Sequence, residues 1–543
     1  MTLLLVISVE AQQKKEVKRK DGEIENTEVI IEKNKKITLP EADRNFEKIS
    51  AILPKPQPEI QQYNLAEPKL LFPDLRINFV LPAPVVEEPQ PQLGNYARIG
   101  AGNYGATLGE LFLGNTRHPH TQISLYAKHL GYLSGPKDKE NSASGDQQVK
   151  ISGNYFREQL SVHSSLAYHR QQAYFYGYQV ENKPLRDTIK QVFNSIDFQA
   201  GLKNRLLDSL IGFKIDLNLS YLSDRMAARE FETGLQISGD YLLNTNLSLL
   251  LNTDIFLTQR QDENLSQNRN LFRLKPQLKF IKDNFRVAAG FNFVGQNDSL
   301  LAKAKLYPII EAQYQILNNV EIFAGFSGDV QRNTLRSFIK ENLLIAPNVV
   351  VRNTEKVSEI TGGIKAGLGK SFSTKVDFSV GTFRSLAFFK NKTSDTAKFS
   401  MVYEDDTQKS KIFQASIALA YQTKQWVLNL RTDFFNYQLA TFEEAIHRPK
   451  FKANLNAKYY FGEKLAFSAD CYYISGIFAI LPASDNFLLL PNVIDLNLKA
   501  DYSFNKKIGA SISLNNILAQ SYQKYLYYPQ RGFQILVSFG YSF

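Results

Sequence analysis

The 543-residue chain has one cysteine (Cys471), one tryptophan (Trp426) and three methionines. A single thiol excludes an intramolecular disulfide framework and a cysteine-rich metal site. No stretch approaches the ~18 consecutive apolar residues of a membrane-crossing helix. Nucleophile-elbow, phosphate-loop, zinc-protease and dinucleotide fingerprints are missing in any believable context, which argues against an enzyme and calls for no cofactor. With 43% hydrophobic and 22% charged residues the chain is too apolar to be disordered. What abounds is tyrosine (27) and phenylalanine (38). A helix-poor, aromatic-rich protein of this size is built from strands, either around a soluble core or in lipid.

From about Tyr96 onward the apolar period is two. Phe213, Ile215, Leu217, Leu219 and Tyr221 alternate with Lys214, Asp216, Asn218 and Ser220. Phe451 to Tyr459 and Ile494 to Phe504 repeat the pattern, against Lys452 and Lys458 in one and Asp495, Lys499 and Asp501 in the other. Strict alternation marks strands with one apolar and one wet face. Soluble strands average about five or six residues, whereas these runs are roughly twice that, enough to cross the apolar band of a bilayer.

The connections alternate as well. Short turns are expected at 204–207, 244–246, 282–284, 318–319, 371–374, 423–425, 462–464 and 505–507. Between them lie longer, polar connections at 169–190, 223–228, 260–269, 296–303, 332–355, 388–409, 440–447, 478–491 and 517–529. Tight turns on one side and long loops on the other are how a transmembrane barrel is strung. The count predicts an all-β, antiparallel transmembrane barrel of about 22 strands over residues 94–543. Aromatic clusters at strand ends (Tyr459-Tyr460-Phe461, Tyr472-Tyr473 and Tyr527-Tyr528) suit the girdles at the two membrane interfaces.

The ends differ from the middle. Residues 1–11 read as the remainder of a secretory signal peptide, or alternatively as a buried N-terminal strand. Residues 12–93 hold ten of the twenty prolines, which predicts a mostly irregular periplasmic or lumenal arm. Its apolar stretch from Leu70 to Leu81 is expected to dock, with the barrel mouth as the nearest surface. At the other end Phe533, Ile535, Val537, Phe539, Tyr541 and Phe543 alternate with small or polar residues. Phe539, Tyr541 and Phe543 look like the terminal-strand signal that barrel-assembly machinery reads.

The segment from Pro491 to Phe543, with Asn515-Asn516-Ile517-Leu518 and Tyr522, Pro529 and Gly532 before the last strand, resembles the final strands of TonB-dependent receptors. The Gly94–Gly105 run (GNYARIGAGNYG) after a proline-rich arm is similar to barrel proteins of the Bacteroidota loosely placed in that family. The resemblance implies a 22-stranded outer-membrane barrel of a Gram-negative bacterium that passes solutes. This chain departs from the family in having only about eighty residues ahead of the first strand, too few for a conventional plug domain. Thr27-Glu28-Val29-Ile30-Ile31 resembles the short box that engages TonB by strand addition.

The arm and leader carry 13 basic and 15 acidic residues, so against a whole-chain formal charge of +11 the barrel region carries about +13. No nucleic-acid recognition module accompanies it. Lipopolysaccharide phosphates outside, or an anion-tolerant lumen, are the expected counterparts. Candidate lumen-lining residues are Lys214, Asp216, Asp254, Glu311, Glu321, Asp329, Lys452, Lys458, Asp495, Lys499 and Asp501, with mutual ion pairing as their expected state. His118, His120 and His129 read as turn residues rather than a metal cluster, and His163 and His169 lack identified partners. The sequence therefore predicts a solute channel or receptor, with TonB or a surface lipoprotein as candidate partners. The alternatives are a structural subunit of an assembly, secretion or surface-export complex, and a soluble or adhesive β-protein.

Overall fold

The computed structural model describes residues 95–115, 120–157, 159–179, 183–204, 210–298, 301, 303–369 and 371–543. The arm at 12–93, the 27–31 box, the leader at 1–11 and His118 lie outside them.

Twenty-two antiparallel strands, from Tyr96–Gly102 to Gln534–Ser542, form one sheet. The first strand pairs with the last, Tyr96 opposite Ser542 and Gly102 opposite Leu536, so the sheet closes into a barrel. Closure explains the glycines at the start: a Cβ at Gly102 would run into the Ile535 carbonyl oxygen. The strands reach 17 residues in Ser266–Lys282, a length that soluble sheets rarely use.

Alternation along each strand sorts the side chains. On Phe285–Gln296 the rings of Phe285, Phe291 and Phe293 are exposed, whereas Asn292 between them is fully buried. Ile211, Phe213 and Tyr221, and Leu249, Leu251 and Leu257, repeat this on their strands. Such a surface would be costly in water and is natural in hydrocarbon, where a closed barrel leaves no unpaired backbone edge. Accordingly, Phe291→Arg is expected to destabilise the folded barrel by about 2–4 kcal/mol, as a charge on the lipid face near mid-strand does. The midpoint of urea unfolding in lipid vesicles measures it, and an unchanged midpoint would place Phe291 outside the bilayer.

Aromatic pairs gather at the short-turn rim. Trp426 lies 4.5 Å from Tyr459, Tyr502 5.0 Å from Phe504, and Tyr541 5.8 Å from Phe543 between ring centroids. Phe539, Tyr541 and Phe543 all face outward and are exposed. Most boundaries shift by a few residues from the sequence reading; the connection expected at 169–190 is 175–189, because its strand runs on through Tyr174, and two further shifts are informative. The turn expected at 371–374 falls at 369–371, and the long connection expected at 260–269 is a link of only 262–265. Residues such as Arg260 and Arg269 are polar because they sit on the inner face and reach other loops. Their polarity imitates that of a loop.

Candidate functional site

On the long-connection rim the six longest links are 175–189, 332–353, 385–409, 439–450, 476–492 and 516–533. They are not simply the polar loops expected. Leu335, Phe338, Ile339, Ile345, Val349, Val351, Phe389, Phe399, Tyr525 and Tyr528 are buried together against Phe193 and Leu222 of the barrel wall. Two further apolar clusters join Ile446 to Phe388 and Ile480, and Tyr522 and Leu526 to Ile477 and Leu490. Burying side chains of this size contributes about 1.5–3 kcal/mol each, so the loops form a layer with its own core. The joined links belong to strands far apart around the ring, so the layer crosses the opening.

The 332–353 link is fixed most heavily. It carries a helix, Leu335–Glu341, begun by a capping box in which Thr334 and Ser337 exchange side-chain and backbone hydrogen bonds. Glu230, buried on the barrel wall, accepts the N–H groups of Leu335 and Arg336, both at 2.9 Å. Arg336 reaches back to Asp197 and Ser220. Arg332 pairs with Glu232 at 2.7 Å and lies over the Phe256 ring. From the wall, Arg260 donates to the Val349 carbonyl at 2.7 Å and Arg269 to that of Asn333 at 2.6 Å. Arginine suits this work, since its planar fork stays charged while serving several acceptors.

The other links are tied to each other. Glu404 accepts the N–H groups of Ala440, Thr441 and Phe442 at 2.9–3.0 Å. Arg448 pairs with Glu341, and Tyr525 Oη donates to the Glu341 carbonyl at 3.1 Å. His447 joins three links. Its Nδ1 donates to the Phe389 carbonyl at 2.8 Å, and its Nε2 accepts the Leu526 N–H at 3.2 Å. That pairing fixes a neutral tautomer, and burial pulls its pKa down to about 4. Arg531 donates to the carbonyls of Ser134 and Ser142 and to the Ser144 hydroxyl. Asn516, in the stretch that carries the family resemblance, has a positive φ and bonds the Gln520 and Arg531 carbonyls, holding the 516–533 link closed on itself.

Below this layer, the charged candidates lie on the sheet face opposite the apolar side chains. Asp216 lies 2.6 Å from Lys214 and 3.2 Å from His163. Arg273 bridges Asp254 at 3.4 Å and Asp329 at 2.8 Å, and Lys275 also meets Asp329. Glu321 pairs with Lys365 at 2.7 Å, Lys452 with Asp433 at 3.7 Å, and Lys499 with Asp501 at 2.6 Å. Lys458 stands 4.7 Å over the Tyr460 ring, and Glu311 lies within the electrostatic reach of Lys275. Asp495 is fully buried and takes the Tyr522 hydroxyl at 2.9 Å, so it belongs with the loop layer rather than with an open wall.

Three other readings change. Tyr527-Tyr528 does not belong to an interfacial girdle, because Tyr528 is buried in the loop core against Tyr176 and Phe399. His169 meets Asp146 at 3.1 Å and His129 meets Thr107 at 3.0 Å; among the described residues no cluster of His, Cys, Asp or Glu is arranged to hold a metal. The anchoring set of Glu230, Arg260, Arg269, Arg332, Arg336, Glu404, His447 and Arg531 escaped sequence reasoning. The available signal was the apolar content of 332–353, too high for a solvated loop.

A closed 22-strand barrel, apolar outside, polar inside and crossed by its own long loops, is an integral protein of a Gram-negative outer membrane. No family model matches the sequence, and no curated protein matches it. Solved structures do match the fold. The FrpB iron transporter of Neisseria meningitidis (F3-3 variant) aligns with a TM-score of 0.65 at 10% identity, over 84% of this chain and 82% of that one. The ferripyoverdine receptor of Pseudomonas aeruginosa gives 0.60 at 11%, over 84% and 72%. The copper transporter OprC also gives 0.60 at 11%, over 83% and 80%. These neighbours are transporters and receptors rather than enzymes, and at such identity the likeness is one of fold.

Proposed function

We propose that this chain is an outer-membrane channel or receptor for solutes, resembling the barrel of TonB-dependent receptors, whose long loops close its outer end. The observation that carries the reading is the loop layer: a 22-strand ring is wide enough to breach the barrier unless something occludes it, and here the wall itself supplies the anchors. The inner charged residues from Lys214 to Asp501, Asp495 apart, are the lumen lining in this reading, and the pairing of most of them leaves a polar path without a deep trap for either sign. The 12–93 arm is the natural site of periplasmic control, and its Thr27–Ile31 box is the candidate contact for TonB. Phe539, Tyr541 and Phe543 are the candidate assembly signal, and lipopolysaccharide or a surface lipoprotein the candidate external contacts.

Solute flux tests this. Purified protein reconstituted in liposomes is compared with protein in which 335–351 is replaced by a short Gly-Ser linker. The linker form should pass small sugars that the intact protein holds back. Equal impermeability of both, with correct insertion, would overturn the channel reading and favour a structural subunit of an envelope complex.

A further inference from the structure

Between the loop layer and the wall formed by Thr121–Tyr132, Ser144–Phe156 and Leu160–Tyr174 lies a cavity of about 450 Å³. It falls in the size range of pockets that enclose small organic ligands. Its walls come from separate parts of the chain: barrel strands on one side, and the 332–353 and 516–533 links on the other.

Charge in the lining is lopsided. Lys128, Lys340, Lys524 and Arg531 supply four cations. The acids are Asp146 and Glu341, and Glu341 is already paired with Arg448. The Arg531 guanidinium already donates to the Ser134 and Ser142 carbonyls and the Ser144 hydroxyl and lies 4.6 Å from the Tyr132 ring, so it acts on the cavity through its charge. Burial lowers Lys524 to about 8 against the attraction of Glu341, so at neutral pH it is mostly a charged ammonium in a poorly solvated place. A second anion there would regain the solvation these cations have lost. Gln171, Gln172, Asn342 and Gln530 add amide groups, and the buried Asn342 Nδ2 has no hydrogen-bond partner.

We infer that this cavity is a binding site for a small organic oxyanion, a carboxylate or phosphate carried on a hydroxyl-rich body. The cations take the charged end, while the amides and tyrosine rings take the remainder. The inference deepens the transport reading by giving the solute a chemical class, and it is tested by binding alone.

The full chain, purified in detergent, is titrated calorimetrically with digalacturonate, sucrose 6-phosphate and sucrose. Binding of either acid, at least about tenfold tighter than sucrose, supports the site, and the preferred acid identifies the oxyanion. Lys128→Gln combined with Lys524→Gln should weaken that binding about tenfold or more, while Lys424→Gln at an exposed turn leaves it unchanged. Lys128→Gln alone, on a barrel strand away from the loop core, should give part of the loss even if the double variant loosens the loops. No binding of either acid, equal binding of sucrose, or indifference to both lysine variants would overturn the inference. Flux through the linker form without acid binding would leave the channel reading intact and remove only this site.

Discussion

Glu230→Ala is expected to release the 332–353 link and open the barrel. The substitution strips the helix of the carboxylate that accepts two of its first N–H groups, leaving those donors buried without partners. Charge-assisted bonds of this kind contribute about 1.5–3 kcal/mol each. Burial and, after it, repulsion from nearby Glu232 both work against the Glu230 charge, so relief of the two costs offsets part of this. A net loss of about 3 kcal/mol would raise the undocked population roughly a hundredfold. In planar bilayers this appears as frequent large openings, and in limited proteolysis as cleavage after Arg336 or Lys340. Openings no more frequent than in the unaltered protein would mean that the layer does not depend on this anchor.

Acid should have a related effect through His447. Its ordinary pKa is 6.5, and in the buried layer it is held near 4. A group whose folded pKa is depressed in this direction is a base kept neutral. Its contribution is therefore complete above about pH 6.5, falls as pH drops through the interval, and is gone near pH 4. The difference corresponds to about 3 kcal/mol of docking free energy. Protonation would cost the bond from the Leu526 N–H and place a cation beside Arg448 and Lys524, whose charges already oppose it. Corrected for the pH dependence of intrinsic exchange, the protection of amides 439–450 and 524–528 should fall between about pH 7 and pH 4.5. His447→Gln should flatten that dependence, and an identical acid response in the variant would assign it to other groups.

The barrel was legible because its cause is local. Alternation in Phe213–Tyr221 or Ile494–Phe504 is forced by the two-residue pleat, and turn spacing by the thickness of the bilayer. Both can be read from a few neighbouring residues, so the strand count follows. The loop layer was legible only in outline. Polar residues such as Arg260 and Arg269 read as part of a long connection until the structure placed them on strands, aimed at carbonyls 89 and 64 positions away respectively. Tyr527-Tyr528 reads as a girdle pair by its sequence alone, and becomes core only when 516–533 meets the hairpin containing Phe399.

The sequence by itself determined a closed ring of strands with grease outside and charge within, because each of those choices is made every second residue. Which loops turn inward, which carboxylate receives which helix, and that four cations share one cavity were decided by tertiary structure alone. Those contacts join segments tens to hundreds of residues apart, and only closure of the ring brings them within bonding distance.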